Sequence, residues 1–171
     1  MEKRTAKVGI LMGSDSDLEV MREAEKRLDE FGVLYETQIL SAHRSPAKTA
    51  GYASSALDRG IEVIIVGAGA AAHLAGAVAA NTTLPVIGVP IDSSSLKGLD
   101  ALLSTVQMPA GVPVATMAIG KAGAANAGIF AVEILARKDT RLAVQLARFK
   151  EDLASGVDEK TQKLRRERQG R

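Results

Sequence analysis

The run IEVIIV at Ile61 to Val66 is apolar at five of six positions and sits between Gly60 and Gly67. A strand with one face in water alternates apolar and polar residues; this one does not, so it reads as covered on both faces, the mark of a parallel sheet. Parallel neighbours cannot be joined by a tight hairpin, and each needs a crossover, usually a helix. The rest of the chain supplies that pattern. Lys7 to Met12 predicts a first strand, and Leu18, Met21, Leu28 and Phe31 then recur at helical spacing, with Ser16 and Glu19 placed as a capping box and Gly32 as the stop. Leu34 to Ile39 predicts the second strand, Ser45 and Pro46 the cap and first turn of a second helix, and Gly60 its end. Val86 to Val89 comes next as a fourth strand, Leu96 to Val106 as a helix, Val112 to Ala118 as a fifth strand and Ala122 to Ala136 as another helix. The expected fold is α/β, a three-layer α/β/α sandwich around a parallel sheet with right-handed crossovers.

Alanine and glycine crowd the helices, as in GAGAAAHLAGAVAAN and GKAGAANAG. Such segments let elements approach closely, whether for a tight core, a subunit contact or a ligand at the backbone. Leu142, Leu146, Phe149, Leu153 and Val157 step at helical spacing and Leu164 continues the stripe, which predicts a C-terminal helical extension. Its first three turns are expected on the chain's own sheet and the rest on a neighbouring subunit, with the closing RRERQGR frayed. A length of 171 residues suits one core, so 1–157 reads as a single α/β domain including the packed part of the C-terminal helix and 158–171 as a charged tail, helical or frayed.

Composition narrows the function. Apolar residues at 46% and charged residues at 25% exclude a disordered chain. With no cysteine and only two histidines, His43 and His73, thiolate chemistry and cysteine-built metal sites are excluded, and a metal would have to live on carboxylates. Six Lys or Arg against three Asp or Glu in residues 158–171 leave the remaining 157 residues at about −1. That body, with five aromatic residues and no tryptophan, lacks the positive stripe and stacking platforms of a nucleic-acid binder. Val8 to Met12 is too short for a signal peptide and no stretch is long enough to span a bilayer, so a cytoplasmic protein without a membrane partner is expected.

In open parallel sheets, ligands bind at the carboxyl ends of the strands. Three unusual loops leave the predicted sheet there: Gly13-Ser14-Asp15-Ser16-Asp17, Ser41-Ala42-His43-Arg44-Ser45-Pro46 and Gly67-Ala68-Gly69-Ala70-Ala71-Ala72-His73. Adjacent strands lie about 5 Å apart, so these loops can share one small ligand. Each also has a plainer reading: the first as helix capping, the second as a surface pair, the third as a tight turn. Two carboxylates and two hydroxyls in five residues exceed the needs of one cap, however, and Arg44 at a helix start opposes the helix dipole unless an anion is bound. Arg44, the serine hydroxyls and the first amides of the Ser45-Pro46 helix would make a phosphate site. No GxxxxGK[ST] loop is present, and GAGAAA lacks the later acidic residue of a dinucleotide site. The residues themselves thus point to a small phosphorylated metabolite and a histidine able to shuttle a proton near neutral pH.

Several long motifs, in order, carry a family resemblance: MGSDSD at Met12 to Asp17, SAHRSP at Ser41 to Pro46, GAGAAAHLAG at Gly67 to Gly76, LPVIGVP at Leu84 to Pro90, GLDALLSTVQMPAGVPVAT at Gly98 to Thr116 and GKAGAANAG at Gly120 to Gly128. From Lys7 to about Leu135 the chain resembles the bacterial-type N5-carboxyaminoimidazole ribonucleotide mutase family of de novo purine biosynthesis. The resemblance implies a flavodoxin-like fold and a homo-octamer with active sites partly at subunit contacts. It also implies an isomerase that moves a carboxylate within a phosphoribosyl-imidazole, without metal, nucleotide or biotin cofactor, on a substrate handed over by the ATP-dependent carboxyaminoimidazole ribonucleotide synthase. By motif, Ser14, Asp17 and Arg44 would bind substrate, Asp17 at the ribose hydroxyls and Arg44 at the phosphate, with Ser16 and Ser41 assisting. His43 would be the catalytic acid/base, and His73 with the backbone of Gly69, Ala70, Ala71 and Ala72 would line the base and its carboxylate. Relatives of the animal type, which carboxylate directly with free CO2, typically show SAHK and lack AAHL, so Arg44 and His73 favour the mutase branch. A flavin-binding protein would use the same sheet edge but would present aromatic side chains, and the three loops hold none. Two departures stand out: the family more often has GAGGAAHLPG where this chain has Ala70 and Ala75. If position 70 needs a positive φ, alanine there costs about 1 kcal/mol.

Overall fold

Three segments, VGILM, VIIVGAG and VIGVPI, are buried at every position but Gly69, and they form the centre of a parallel sheet. The structure, a computed structural model, describes residues 5–169. Its strands are β1 (Val8–Met12), β2 (Tyr35–Ile39), β3 (Val63–Gly69), β4 (Val86–Ile91) and β5 (Ala115–Thr116), in the spatial order β2-β1-β3-β4-β5. The helices are α1 (Leu18–Glu30), α2 (Pro46–Ser55), α3 (Leu74–Ala79), α4 (Leu99–Val106), α5 (Lys121–Leu135) and α6 (Thr140–Gln169). This is the three-layer, flavodoxin-like arrangement expected from the sequence, with a C-terminal helical extension.

Strand alternation divides the core in two. Val8, Ile10, Met12, Val63, Ile65 and Ile87 meet α1, α5 and the first turns of α6 on one face, while Leu11, Ile64 and Val66 meet α2, α3 and α4 on the other. On the first face, the small residues of α5 let it lie directly on α1: a β-carbon at Gly128 would stand 2.8 Å from the Ala24 carbonyl oxygen. Along α6, Leu142 and Leu146 are buried, and Phe149 meets Phe31 edge-on with ring centroids 5.7 Å apart. Farther on, Leu153, Val157 and Leu164 are more than half exposed. A helix of this length reaches about 45 Å, beyond what one small body covers.

Several boundaries differ from the sequence expectations. The third strand runs on through Gly69, so Gly67, Ala68 and Gly69 are sheet and only Ala70 to His73 form the turn. Strand β4 continues through Pro90 to Ile91, while β5 shrinks to two residues, being an edge strand that comes after Pro109, Gly111 and Pro113. Helix α4 starts at Leu99, because Lys97 and Gly98 take left-handed φ values of +50° and +82° that a helix cannot contain. The capping box is made by Ser14 and Asp17 around a 3-10 turn at Asp15–Asp17, not by Ser16 and Glu19. Ser45 makes no side-chain cap to α2. The tail is helical through Gln169, as its Lys-, Arg-, Glu- and Gln-rich sequence favours, so fraying is not seen there; Gly170 and Arg171 lie outside the described residues.

The α1–α5 contact gives a direct test. Gly128→Ala places a methyl against backbone and should cost about 1–3 kcal/mol. Urea unfolding would show this as a lower midpoint at unchanged slope.

Candidate active site

Met12 at the end of β1 pairs with Ile39 of β2 and with Gly67 of β3. The three strand exits therefore open side by side, at the point where the strand order reverses. All eleven residues singled out from the sequence lie on these exits, and the structure gathers them into two adjoining groups.

The first group surrounds a shallow cleft of about 320 Å³ lined by Gly13, Ser14, Asp15, Ile39, Ser41, Arg44 and Ser45. Arg44 ties two loops together, its Nη2 donating to the Gly13 carbonyl at 2.9 Å and its backbone N–H to Ser41 Oγ at 3.1 Å. Ser45 knots its own loop instead of capping α2: its hydroxyl donates to the Ser41 carbonyl and accepts from the Ser41 N–H, each at 3.1 Å. The first turn of α2 is thereby left without a side-chain acceptor, beside an exposed guanidinium. That combination suits an anion.

Beside this cleft, Ser14 Oγ accepts from the Ser16 N–H at 3.3 Å and donates to Asp15 Oδ1 at 3.0 Å. The Ser14 N–H returns a bond to Asp17 Oδ2 at 3.2 Å. Asp17 is buried, and burial raises its pKa above the ordinary aspartate value, although hydrogen bonds from the Ser14 and Gly13 backbone and the Ser16 side chain work the other way. Capping thus accounts for part of this loop. It does not account for placing a carboxylate where charge is penalised.

The second group is the histidine pair. His43 Nε2 and His73 Nδ1 are 2.6 Å apart, so one nitrogen carries the proton and the other accepts it. Their rings meet edge-on, with centroids 4.8 Å apart at 77°, and both side chains are exposed. His73 is delivered by a strained turn. Ala70 and Ala72 have φ of +51° and +41°, and the Ala72 N–H closes the turn onto the Gly69 carbonyl at 3.0 Å. Ala71 lies exposed between them. Ala75 is buried in the first turn of α3, where a proline would also be tolerated.

Neither histidine lines the 320 Å³ cleft, nor do Ser16 or Asp17. A larger cavity, of about 870 Å³, opens at the other end of the sheet beside Lys7, Leu34, Glu62 and Arg141 and holds none of the predicted site residues. Sequence reasoning passed over the segment after β4, where Ser93 lies against Gly69. Its signal was the polar run Asp92-Ser93-Ser94-Ser95 leaving the same sheet edge as the other loops.

Ala70 carries a measurable penalty. Ala70→Gly should stabilise the chain by about 1 kcal/mol, because glycine adopts a positive φ without the β-carbon clash. Thermal unfolding would show a rise of a few degrees.

Residues 7–155 match the family model described as AIR carboxylase. N5-carboxyaminoimidazole ribonucleotide mutase of Vibrio parahaemolyticus is 58% identical over 151 residues, which cover 88% of this chain and 94% of the relative. The protein of that name from Pyrococcus horikoshii is 54% identical over 164 residues, covering 96% and 92%. The crystal structure of Treponema denticola PurE superimposes with a TM-score of 0.80 at 30% identity, covering 89% of this chain and 94% of that one. A family match over nearly the whole sheet, relatives more than half identical along most of their length, and a shared fold carry one conclusion: the chain belongs to the AIR carboxylase family.

Proposed function

We propose that the chain is an N5-carboxyaminoimidazole ribonucleotide mutase of purine biosynthesis. It converts 5-carboxyamino-1-(5-phospho-D-ribosyl)imidazole to 5-amino-1-(5-phospho-D-ribosyl)imidazole-4-carboxylate. Relatives of that name at 54–58% identity support the activity. The observation that carries the chemistry is His43 at the exit of β2, paired with His73 and next in sequence to Arg44 at the anion-suited cleft. In this reading Arg44, Ser41 and the start of α2 hold the 5'-phosphate. Asp17 accepts from the ribose hydroxyls, with Ser14 and Ser16 beside it, and the Gly69 to Ala72 backbone with His73 lines the imidazole and its carboxylate.

The reaction then balances on one proton. The carbamate C–N bond breaks and releases CO2 while His43 protonates the exocyclic nitrogen. Ring carbon 4 attacks the enclosed CO2, forming the new C–C bond, and His43 recovers a proton from that carbon as aromaticity returns. Enclosure matters because CO2 held beside its acceptor reacts at a high effective concentration, while escape would end the transfer. The single chain leaves both histidines exposed, and it also exposes Leu96, Leu99, Leu103 and Val106 at α4 and Leu153 and Val157 on α6. Burying those apolar faces on neighbouring copies, in a homo-octamer with active sites partly at the contacts, would supply the enclosure. The substrate, an N-carboxylated amine, fits a supplying enzyme that spends ATP on carboxylation, the carboxyaminoimidazole ribonucleotide synthase.

Three measurements test this reading. His43→Asn should fold and bind substrate while turnover without ATP falls by a factor of about 100 to 10,000, the usual worth of a positioned acid/base. Rapid turnover by that variant would remove His43 from the mechanism. Arg44→Leu should weaken ligands bearing the 5'-phosphate by at least about 2 kcal/mol and leave dephosphorylated analogues nearly unaffected. Equal losses would make Arg44 structural only. Light scattering should give eight copies of the 17.9 kDa chain. Leu103→Glu should shift that mass downward together with activity, whereas a fully active monomer would contradict the shared site.

A further inference from the structure

The segment from Asp92 to Gly98 joins β4 to α4 and leaves the sheet beside the β3 exit, since Ile91 pairs with Gly69. Its own bonds hold it closed. The Lys97 N–H donates to the Ser94 carbonyl at 3.1 Å, the Leu96 N–H to Ser94 Oγ at 3.1 Å and the Leu99 N–H to the Leu96 carbonyl at 3.1 Å. From this fixed loop Ser93 rests on Gly69: a β-carbon added there would fall on Ser93 Oγ and come within 2.8 Å of Ser93 Cβ. Gly69 is not left-handed, so backbone conformation does not call for glycine at this position. The neighbouring serine does, with the Ile91 carbonyl next at 3.2 Å.

The turn immediately after Gly69 makes the contact consequential. Ala70 and Ala72 are both left-handed, and non-glycine residues stay so only where the surroundings over-determine them. The turn that they form ends at His73, 2.6 Å from His43. We propose that Ser93 is a positioning residue of the reaction: by seating on Gly69 it sets the height of the Ala70–Ala72 turn and so holds His73 against His43. The proposal rests on the reading of His43 as the acid/base, and its primary readout is chosen to need no substrate.

The test uses the full chain as Gly69→Ala, Ser93→Gly and the double variant, followed by the imidazole nitrogen resonances of the two histidines and by kcat/KM. Gly69→Ala should displace both sets of resonances and lower kcat/KM at least 100-fold. Ser93→Gly alone removes the seat and should displace the same resonances, and unchanged resonances in it would overturn the proposal. In the double variant the new methyl takes the space that the serine vacated and seats the turn in its place, so it should restore the resonances and recover at least tenfold in kcat/KM. Additive losses, with no return of the resonances, would overturn the proposal. Should Gly69→Ala fail to fold, Ser93→Val enlarges the same contact from the other side, and unchanged histidine resonances in that variant would equally overturn it. Restored resonances in a protein that never converts substrate would uphold the role of Ser93 while removing the mutase reading.

Discussion

Met12 stands between Ile39 and Gly67 in the sheet, and that register positions every group at the candidate site. Strands β1 and β3 are buried along almost their whole length, so a slip of either would move apolar side chains to the wrong core and is strongly penalised. With the register fixed, the exits of β1, β2 and β3 are fixed too. Arg44 can then reach the Gly13 carbonyl, and two histidines thirty residues apart can meet. The precision of the site comes from the sheet, since both histidines and Arg44 themselves are exposed.

Several penalties among the described residues gather at the same edge. Two alanines hold left-handed conformations, and Lys97 holds a third on the adjoining loop. Asp17 is a buried carboxylate with a raised pKa, so its protonated form favours folding. The stability that it contributes is present below its unfolded pKa and lost as pH rises through the higher folded value, leaving a cost at neutral pH. Such local conflicts are expected where function sets the residue and the surrounding core holds it in place. The core here is able to do so: Ile10, Leu11 and Met12 of β1 and Val66 of β3 are fully buried just before the strand exits.

The fold was legible where burial imposes a pattern. IEVIIV announced a parallel strand, and the helical stripe from Leu142 to Phe149 announced packing on the chain's own sheet, because both faces of a strand or one face of a helix must be apolar to be covered. Legibility failed where energies are small. Strand β5 is two residues long at an open edge among prolines, and no periodicity survives in so short an element. Capping near Ser14 was expected, but the choice between Ser14–Asp17 and Ser16–Glu19 depends on a 3-10 turn that spacing does not reveal. At the site, the loops could be found from composition and topology, and the cost at Ala70 could be stated only as a condition on its φ. The left-handed turn at Ala72 had no signal at all, since alanine favours other conformations. Ser93 was passed over because a run of serines after a strand looks like any polar connection until the sheet shows that it lies against Gly69.

Whether carboxylate moves within one enclosed site or arrives from solution is the central question, and carbon labelling answers it. The enzyme and 5-carboxyamino-1-(5-phospho-D-ribosyl)imidazole would be incubated with isotopically labelled bicarbonate and CO2, and the product carboxylate analysed after partial turnover. Recapture at a closed site with His43 as the proton carrier predicts full conversion with little label in the product. Stoichiometric incorporation of label would contradict it and make the chain a direct CO2-dependent carboxylase.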